Sequence, residues 1–443
     1  MAESKNGTSW QKVITDEWIS RRAAEPPEEK LFPLAMNPFG EEEIVAMTEV
    51  LLSGKLTLGA NVEKAEKLFA AKVGAPYAVL VNSGSSANLL AVSAIVNKFR
   101  PVHCDAGDEV LVPAVSWSTS VFPLIQCGLK PKFVDTDPKT FNVSIELLEK
   151  AMTPRVKAVM AVHVLGNSIC MKDLQAFVKK HNLMLVEDTC ESLGSYYQDE
   201  NGNKKMLGTL GDFGCYSFYF SHHITSGEGG AVVCKTEEDY NFVRCLRAHG
   251  WTRHLTNRAK VESDYPKIDP RFLFVNLGYN LRPMEVQGAM LIVQLAKLDE
   301  FNSIRRDNLV RIRTAFEADA RFPKTMKFME ASEGVDPAWF GIAVLLNEEF
   351  SHHLDDYLAH LTANGIENRP IISGNFIRQP SIAMYCKDEK PQDYPGSESI
   401  HNRGFFIGVH QVHVPDEKVK KLVALMLDFE FSAEKAGKKA RTE

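Results

Sequence analysis

The stretch Phe213–Gly230, FGCYSFYFSHHITSGEGG, decides the reading of this chain. Gly214 to Phe220 is rich in Cys, Tyr and Phe, the residue types that suit a buried strand. Gly227, Gly229 and Gly230 then permit a tight turn into a second strand, Ala231–Cys234. Between them lie Ser217 and the pair His222 and His223. Adjacent side chains on an extended chain point to opposite faces, so the two imidazoles diverge. That leaves three readings for each: a satisfied core histidine, a metal ligand or an acid–base group. Metal binding is the weakest, because no third ligand stands at helical spacing.

Working outward, the chain alternates short β-type runs with helical segments. The runs are YAVLVN from Tyr77, EVLVPA, PKFVD, VKAVMAVHVL, LMLVED, GCYSFYF and AVVC. This pattern predicts a layered α/β domain with a seven-stranded sheet. No GxGxxG follows the first strand, so a dinucleotide fold lacks its fingerprint. Helices are expected over 40–52 and 61–73, where apolar residues recur at three and four. A longer periodic run follows Pro283 and continues through Arg311. Residues 254–276, polar and Pro-containing, read as a long loop.

The domain organisation expected is an N-terminal extension over 1–34, a large domain over 35–295, a smaller C-terminal domain over 296–432 and a frayed tail over 433–443. A chain of 443 residues is long enough for two domains. Its net charge of −6 and its dispersed Lys and Arg argue against nucleic acid as a partner. The eight cysteines show no CxxC or CxC and read as free thiols. The polar N-terminus and the lack of an 18-residue apolar run point to a cytoplasmic protein.

Several polar groups sit where successive strands end. Asn82-Ser83-Gly84-Ser85-Ser86-Ala87-Asn88 follows YAVLV and opens a helix, so free N–H groups and hydroxyls would face one point, as a phosphate requires. A plain N-cap is the alternative. Asp188, with Glu191 three residues on, ends LMLVE, either as a site carboxylate or as a cap. Trp117 in PAVSWST offers a flat face after EVLV, as core or as a stacking platform. Together the phosphate cradle, ring, carboxylate and Ser217 outline a pyridine-ring phosphate cofactor.

These residues in this order resemble the sugar aminotransferase family of pyridoxal-phosphate enzymes, the DegT/DnrJ/EryC1/StrS family, which acts on nucleotide-linked sugars in the aspartate aminotransferase fold (fold type I). The resemblance runs from about Phe32 to about Leu427. At the motif Ser217…His222…Glu228-Gly-Gly the family carries a lysine that bonds the cofactor; here the residue is His222, and the nearest lysines are Lys205 and Lys235. Histidine there is similar to the lysine-less subset, the sugar 3-dehydratases. One branch of that subset acts on CDP-sugars with an iron–sulfur cluster and a reductase partner, and its cluster is held by cysteines that include a CxC. Here Cys245 stands alone before Leu246-Arg-Ala-His-Gly-Trp-Thr-Arg253. That segment, with Gly278-Tyr-Asn-Leu-Arg-Pro283, Trp339-Phe-Gly341, Arg369-Pro-Ile-Ile-Ser-Gly-Asn-Phe376 and Gly408-Val-His-Gln411, is similar to the cluster-free, GDP-sugar branch. The turn Ser226-Gly-Glu-Gly-Gly230 and the long N-terminus look more like the CDP-sugar branch.

The resemblance implies a lyase that takes pyridoxal phosphate and its amine form, pyridoxamine phosphate, with L-glutamate as amino donor and no metal. The implied substrate is a nucleotide-linked 4-keto-6-deoxyhexose, GDP-4-keto-6-deoxy-D-mannose, which loses its C3 hydroxyl. By the same resemblance Ser85, Ser86 and Ser217 hold the phosphate, Trp117 stacks on the ring, Asp188 pairs with the ring nitrogen and Glu191 lies near the ring hydroxyl. His222 is the catalytic base, and Arg253 and His249 face substrate or the glutamate carboxylate. Asn280 reaches a neighbouring subunit's site, which implies a homodimer. Three alternatives stay open: a CDP-sugar dehydrase with a reductase partner, an aminotransferase and a non-catalytic cofactor-binding protein.

Overall fold

The computed structural model describes residues 9–25, 30–36 and 39–431. The extension's Pro26-Pro27 and the tail placed over 433–443 lie outside the described residues. All seven apolar runs form strands of one mixed sheet: β1 (Tyr77–Val81), β2 (Glu109–Pro113), β3 (Lys130–Val134), β4 (Val156–Val162), β5 (Met184–Asp188), β8 (Phe213–Ser217) and β9 (Gly230–Cys234). The small strands β6 (Tyr196–Gln198) and β7 (Lys204–Met206) pair with Val335–Asp336 in a separate three-stranded sheet. The order in the large sheet is β1-β9-β8-β5-β4-β2-β3, and β9 is antiparallel to both its neighbours. Strands β2, β5, β8 and β9 are buried at every position, which is why they read as continuous apolar runs rather than alternating ones.

This topology puts the C-terminal ends of β1, β2, β4, β5 and β8 along one edge. The turns that leave those ends carry the polar motifs. Helix α4 (Gly84–Ile95) follows β1, and helix α5 (Ser118–Gln126) follows β2.

Before the sheet come α1 (Trp10–Ala24), α2 (Glu41–Ser53) and α3 (Ala60–Val73). Three glutamates open α2, suited to the positive end of the helix, and Gly54 closes it at φ 69°. The 33-residue helix Glu285–Glu317 packs along α2 and α3 and runs unbroken through residues 295 and 296. A second sheet of four antiparallel strands follows, in the order 326–328, 341–346, 404–408, 368–370. One apolar cluster joins the two sheets, from Val79, Val112 and Phe213 to Ile342 and Phe405.

The stretch 254–276 differs from the expected loop. It contains short helical segments at 252–254, 258–263 and 270–272. Pro270 starts the last of them, where a missing N–H costs nothing, and the Asp269 side chain caps it by accepting from the Arg271 amide. An i,i+4 pair, Arg258 with Glu262, supports the middle one. Among the described residues no helix is long and apolar enough to cross a membrane.

Candidate active site

A cavity of about 510 Å³ opens at the strand-end edge. Ser83, Gly84 and Ser85 line it from the start of α4, Trp117 and Ser120 from the start of α5, and Asp188, Cys190 and Glu191 from the turn after β5. Ser217 lines it from the end of β8 and His222 from the segment that follows, and Ile372 reaches it from the C-terminal sheet's side. Six of the residues singled out in the sequence thus share one cavity: Ser85, Trp117, Asp188, Glu191, Ser217 and His222. Ser86 does not line it. Its hydroxyl donates to Asn82 Oδ1 at 2.6 Å and its amide donates to Ser83 Oγ at 3.1 Å, so it serves the helix cap.

Two glycines set the close approach of the walls. A Cβ on Gly84 would stand 2.5 Å from Ser217 Cβ, and one on Gly230 would stand 2.4 Å from the Ser83 carbonyl oxygen. Only glycines let the start of α4 rest against β8 and β9. The first-turn amides of Gly84 and Ser85 have no acceptor within the helix and, with the Ser85 and Ser217 hydroxyls, form an anion-binding end.

Asp188 is fixed from two helices. Its Oδ2 accepts from Asn88 Nδ2 and from Ser120 Oγ, each at 2.7 Å, while its Oδ1 accepts from the Cys190 amide at 3.2 Å. A carboxylate so held is pre-set to receive a cationic ring nitrogen. Neighbouring Glu187 faces away from the cavity and takes the Gly208, Leu210 and Gly211 amides and the His163 ring. Burial disfavours its charge, but the His163 imidazole and those amides hold it below the usual carboxylate range. Glu191 is the opposite case. Burial raises its carboxyl to about 7 against a single backbone donor, the Leu165 amide at 3.0 Å, and Asp188 adds to the rise.

The two histidines lie in a turn after β8, closed by the His222 amide on the Tyr219 carbonyl, and not on the extended backbone expected from the sequence, yet they meet different surroundings. His223 is buried against Phe340 and its Nε2 contacts the Ala338 carbonyl at 2.7 Å, a core histidine. His222 faces the cavity, with its ring edge-on to Phe340 at 5.1 Å. Burial pushes its pKa down to about 4, partly offset by the Cys190 backbone and the Asp188 carboxylate. The ring is therefore neutral near pH 7 and its Nδ1 has no hydrogen-bond partner. Among the described residues no lysine or arginine lines the cavity.

Arg253, His249 and Asn280 do not line this cavity. The Arg253 guanidinium lies 4.6 Å from the Trp251 ring centroid, His249 packs edge-on to the same ring, and Asn280 accepts from Arg282 Nε at 3.0 Å. They share a surface with the exposed Phe272, Phe274 and Leu277, the last 87% exposed. Sequence reasoning gave no role to Asn88, the last residue of a quoted motif, and did not single out Ser120, which follows PAVSWST. Ile372, a β-branched residue held at φ 52°, stood in a quoted motif but was likewise given no role. The Ser373 hydroxyl donates to the Ser116 carbonyl at 2.5 Å and so ties that loop to the Trp117 turn.

The model of the DegT/DnrJ/EryC1/StrS aminotransferase family matches residues 38–427. GDP-4-keto-6-deoxy-D-mannose 3-dehydratase of Escherichia coli O55:H7 is 38% identical over 389 residues, which are 87% of this chain and 97% of that protein. The solved structure of the E. coli enzyme with bound hydrated PLP superposes with a TM-score of 0.82 at 37% identity, covering 89% of this chain and 99% of that one. A GDP-4-keto-6-deoxymannose-3-dehydratase with a trapped PLP-glutamate geminal diamine gives 0.81 at 36%, over 89% and 100%. With the family model matched over residues 38–427 and a relative 38% identical along 97% of its own length, the chain belongs to the DegT/DnrJ/EryC1/StrS aminotransferase family.

Proposed function

We propose that this protein is a pyridoxal-phosphate- and glutamate-dependent sugar 3-dehydratase acting on a GDP-linked 4-keto-6-deoxyhexose. One observation carries the reading: a cavity with the anchors of a pyridoxal phosphate site holds a neutral histidine and no lysine. The 3-dehydratase relatives, one solved with bound PLP and one with a PLP-glutamate adduct, support the same cofactor and amino donor here.

The donor set fits the cofactor. Gly84, Ser85 and Ser217 would hold the phosphate, with Ser86 securing the helix start behind them. Asp188 would hold the ring nitrogen, Trp117 one ring face, and Glu191 the region of the ring hydroxyl. When bound, pyridoxal phosphate carries the amino group and draws electrons from a carbanion. Asp188, braced by Asn88 and Ser120, keeps a positive charge on the ring nitrogen and so sustains that pull. His222 accepts a proton from carbon on its imidazole and, as imidazolium, returns it toward the departing C3 hydroxyl. Without a lysine amine in the cavity, nothing there recaptures the cofactor and the site is free to run elimination. Oxidation of glutamate to 2-oxoglutarate supplies the two electrons that replace C3–OH by C3–H, and the nitrogen leaves as ammonia.

A second copy of the chain completes the site in this proposal. Phe272, Phe274 and Leu277 expose apolar side chains on the segment that leads into Asn280, and such a patch suits a subunit interface. Asn280, Arg253 and His249 would then serve the neighbouring subunit's cavity, where Arg253 offers a fork to a carboxylate. We place the enzyme in the cytoplasm, where its eight free thiols would stay reduced.

The test is the absorbance of the protein with pyridoxal phosphate before and after glutamate, with ammonia assayed after addition of GDP-4-keto-6-deoxymannose. Loss of the aldehyde band with glutamate, then ammonia release with the sugar, is the expected result. Bleaching without a response to this sugar overturns the substrate, and absence of cofactor binding overturns the reading of the site.

A further inference from the structure

Helix α1 lies outside the family match, which starts at residue 38, and none of its residues is buried. Its contribution is therefore not to the core. It packs beside α2, and Trp18 stacks on Phe39 with ring centroids 5.7 Å apart, under the guanidinium of Arg22 at 5.6 Å. Phe39 in turn meets Phe220 edge-on at 6.4 Å.

Phe220 lies two residues before His222, in the segment that leaves β8. Tyr219 lines the cavity and presents its ring edge-on to His222 at 6.0 Å, and the His222 amide donates to the Tyr219 carbonyl at 3.0 Å. Both aromatics are otherwise open to solvent, Tyr219 47% and Phe220 40% exposed. The cavity side of this turn holds His222, and on its outer side Phe220 meets Phe39, on which Trp18 stacks.

We propose that α1 braces the turn that carries His222, with Trp18 and Phe39 as positioning residues acting through Phe220. Phe218 and Ile224 anchor the two ends of the turn in the core, while Phe220 between them stays 40% exposed, so its contact with Phe39, backed by Trp18 from outside the family match, restricts the excursions of that tip. Edge and stacked aromatic pairs are strong enough to shift such an opening equilibrium severalfold. The catalytic consequence rests on the dehydratase reading; the restriction of the turn does not.

Hydrogen exchange measured by mass spectrometry on the full chain, without cofactor, tests the brace. In Trp18→Ala and Phe39→Ala, exchange over residues 218–224 is expected to rise about three- to tenfold, while the β8 amides of 213–217 stay as in wild type. Trp18→Phe restores the protection. In the sugar-dependent ammonia assay the alanine variants lower kcat with KM for the sugar little changed, and Trp18→Phe recovers it. Unchanged exchange over 218–224 in both alanine variants overturns the proposal. So does a rise spread evenly over the chain, which would make α1 a general stabiliser. If exchange responds as expected but wild type releases no ammonia from the GDP-sugar, the brace stands and the substrate reading falls.

Discussion

Asn88 donates its side-chain amide to Asp188 across 2.7 Å, from the second turn of α4 to the end of β5, and both residues are buried. In the proposed site the bond joins the helix whose first amides would meet a phosphate to the carboxylate that would face a ring nitrogen. Asn88→Ala removes one of three donors to Asp188, and a hydrogen bond to a charged group contributes about 1.5–3 kcal/mol. Affinity for pyridoxal phosphate, followed by absorbance titration, should fall roughly tenfold or more. Asn88→Asp should do worse, because two carboxylates at that distance cannot both stay ionised.

A second buried charge holds the sheet rather than the site. Arg247 Nη1 donates to Glu66 Oε1 at 2.6 Å and to the Leu80 carbonyl at 2.7 Å, and the Leu80 amide donates to the same Glu66 oxygen at 3.0 Å. Glu66→Ala leaves the guanidinium buried against one carbonyl, and loss of about 3–5 kcal/mol is expected in denaturant unfolding. Glu66→Leu combined with Arg247→Met should recover much of it, since neither charge then remains. A single-variant loss below about 1 kcal/mol would show that water reaches Arg247.

The strands were legible because both faces of the large sheet are covered. Val, Leu and Ala run without alternation through YAVLV and LMLVED, and no helix of this chain competes with those runs. The candidate site was legible where a residue ends a strand or lies in the few residues that follow one, as Ser85, Asp188, Ser217 and His222 do. It was not legible where a side chain arrives from a distant part of the chain. Asn88 and Ser120 lie 100 and 68 residues before Asp188, and nothing in a helix interior marks an amide or hydroxyl as bound for a carboxylate. Ile372 enters from the other sheet, on a loop whose conformation depends on the hydrogen bond to Ser116. The turns within 254–276 were missed for a local reason: a polar, Pro-containing composition read as loop, whereas Asp269 caps and Pro270 starts a helical turn.

Gly84→Ala tests the contact between the start of α4 and β8. The added methyl carbon would fall 2.5 Å from Ser217 Cβ and 3.0 Å from Cys190 Sγ, so either the helix start or Ser217 must shift. Overpacking of this kind costs about 1–3 kcal/mol. The same shift separates the amides of Gly84 and Ser85 from the Ser217 hydroxyl. Inorganic phosphate should protect wild type from thermal unfolding and protect Gly84→Ala much less. Equal protection would remove Ser217 from the anion site.

Glu191 and His222 should leave opposite marks on stability against pH in the cofactor-free protein. Glu191 titrates near 7 in the folded chain against an ordinary 4.5, so between those values the folded state binds the extra proton. Stability from this group therefore falls as pH rises from about 4.5 to 7. His222 titrates near 4 against an ordinary 6.5, so the unfolded state binds the extra proton in that window, and stability from it rises between pH 4 and 6.5. Each shift corresponds to roughly 3.4 kcal/mol at most, and over pH 4.5–6.5 the two slopes oppose each other. Glu191→Gln should expose the histidine's slope, with stability climbing between pH 4 and 6.5. His222→Asn should expose the glutamate's slope, with stability declining between pH 4.5 and 7. Urea unfolding of the two variants across pH 4–8 reads both slopes. Parallel curves for the variants and wild type would mean that water screens the pair, and His222 would then be protonated near pH 6 rather than kept as a neutral base.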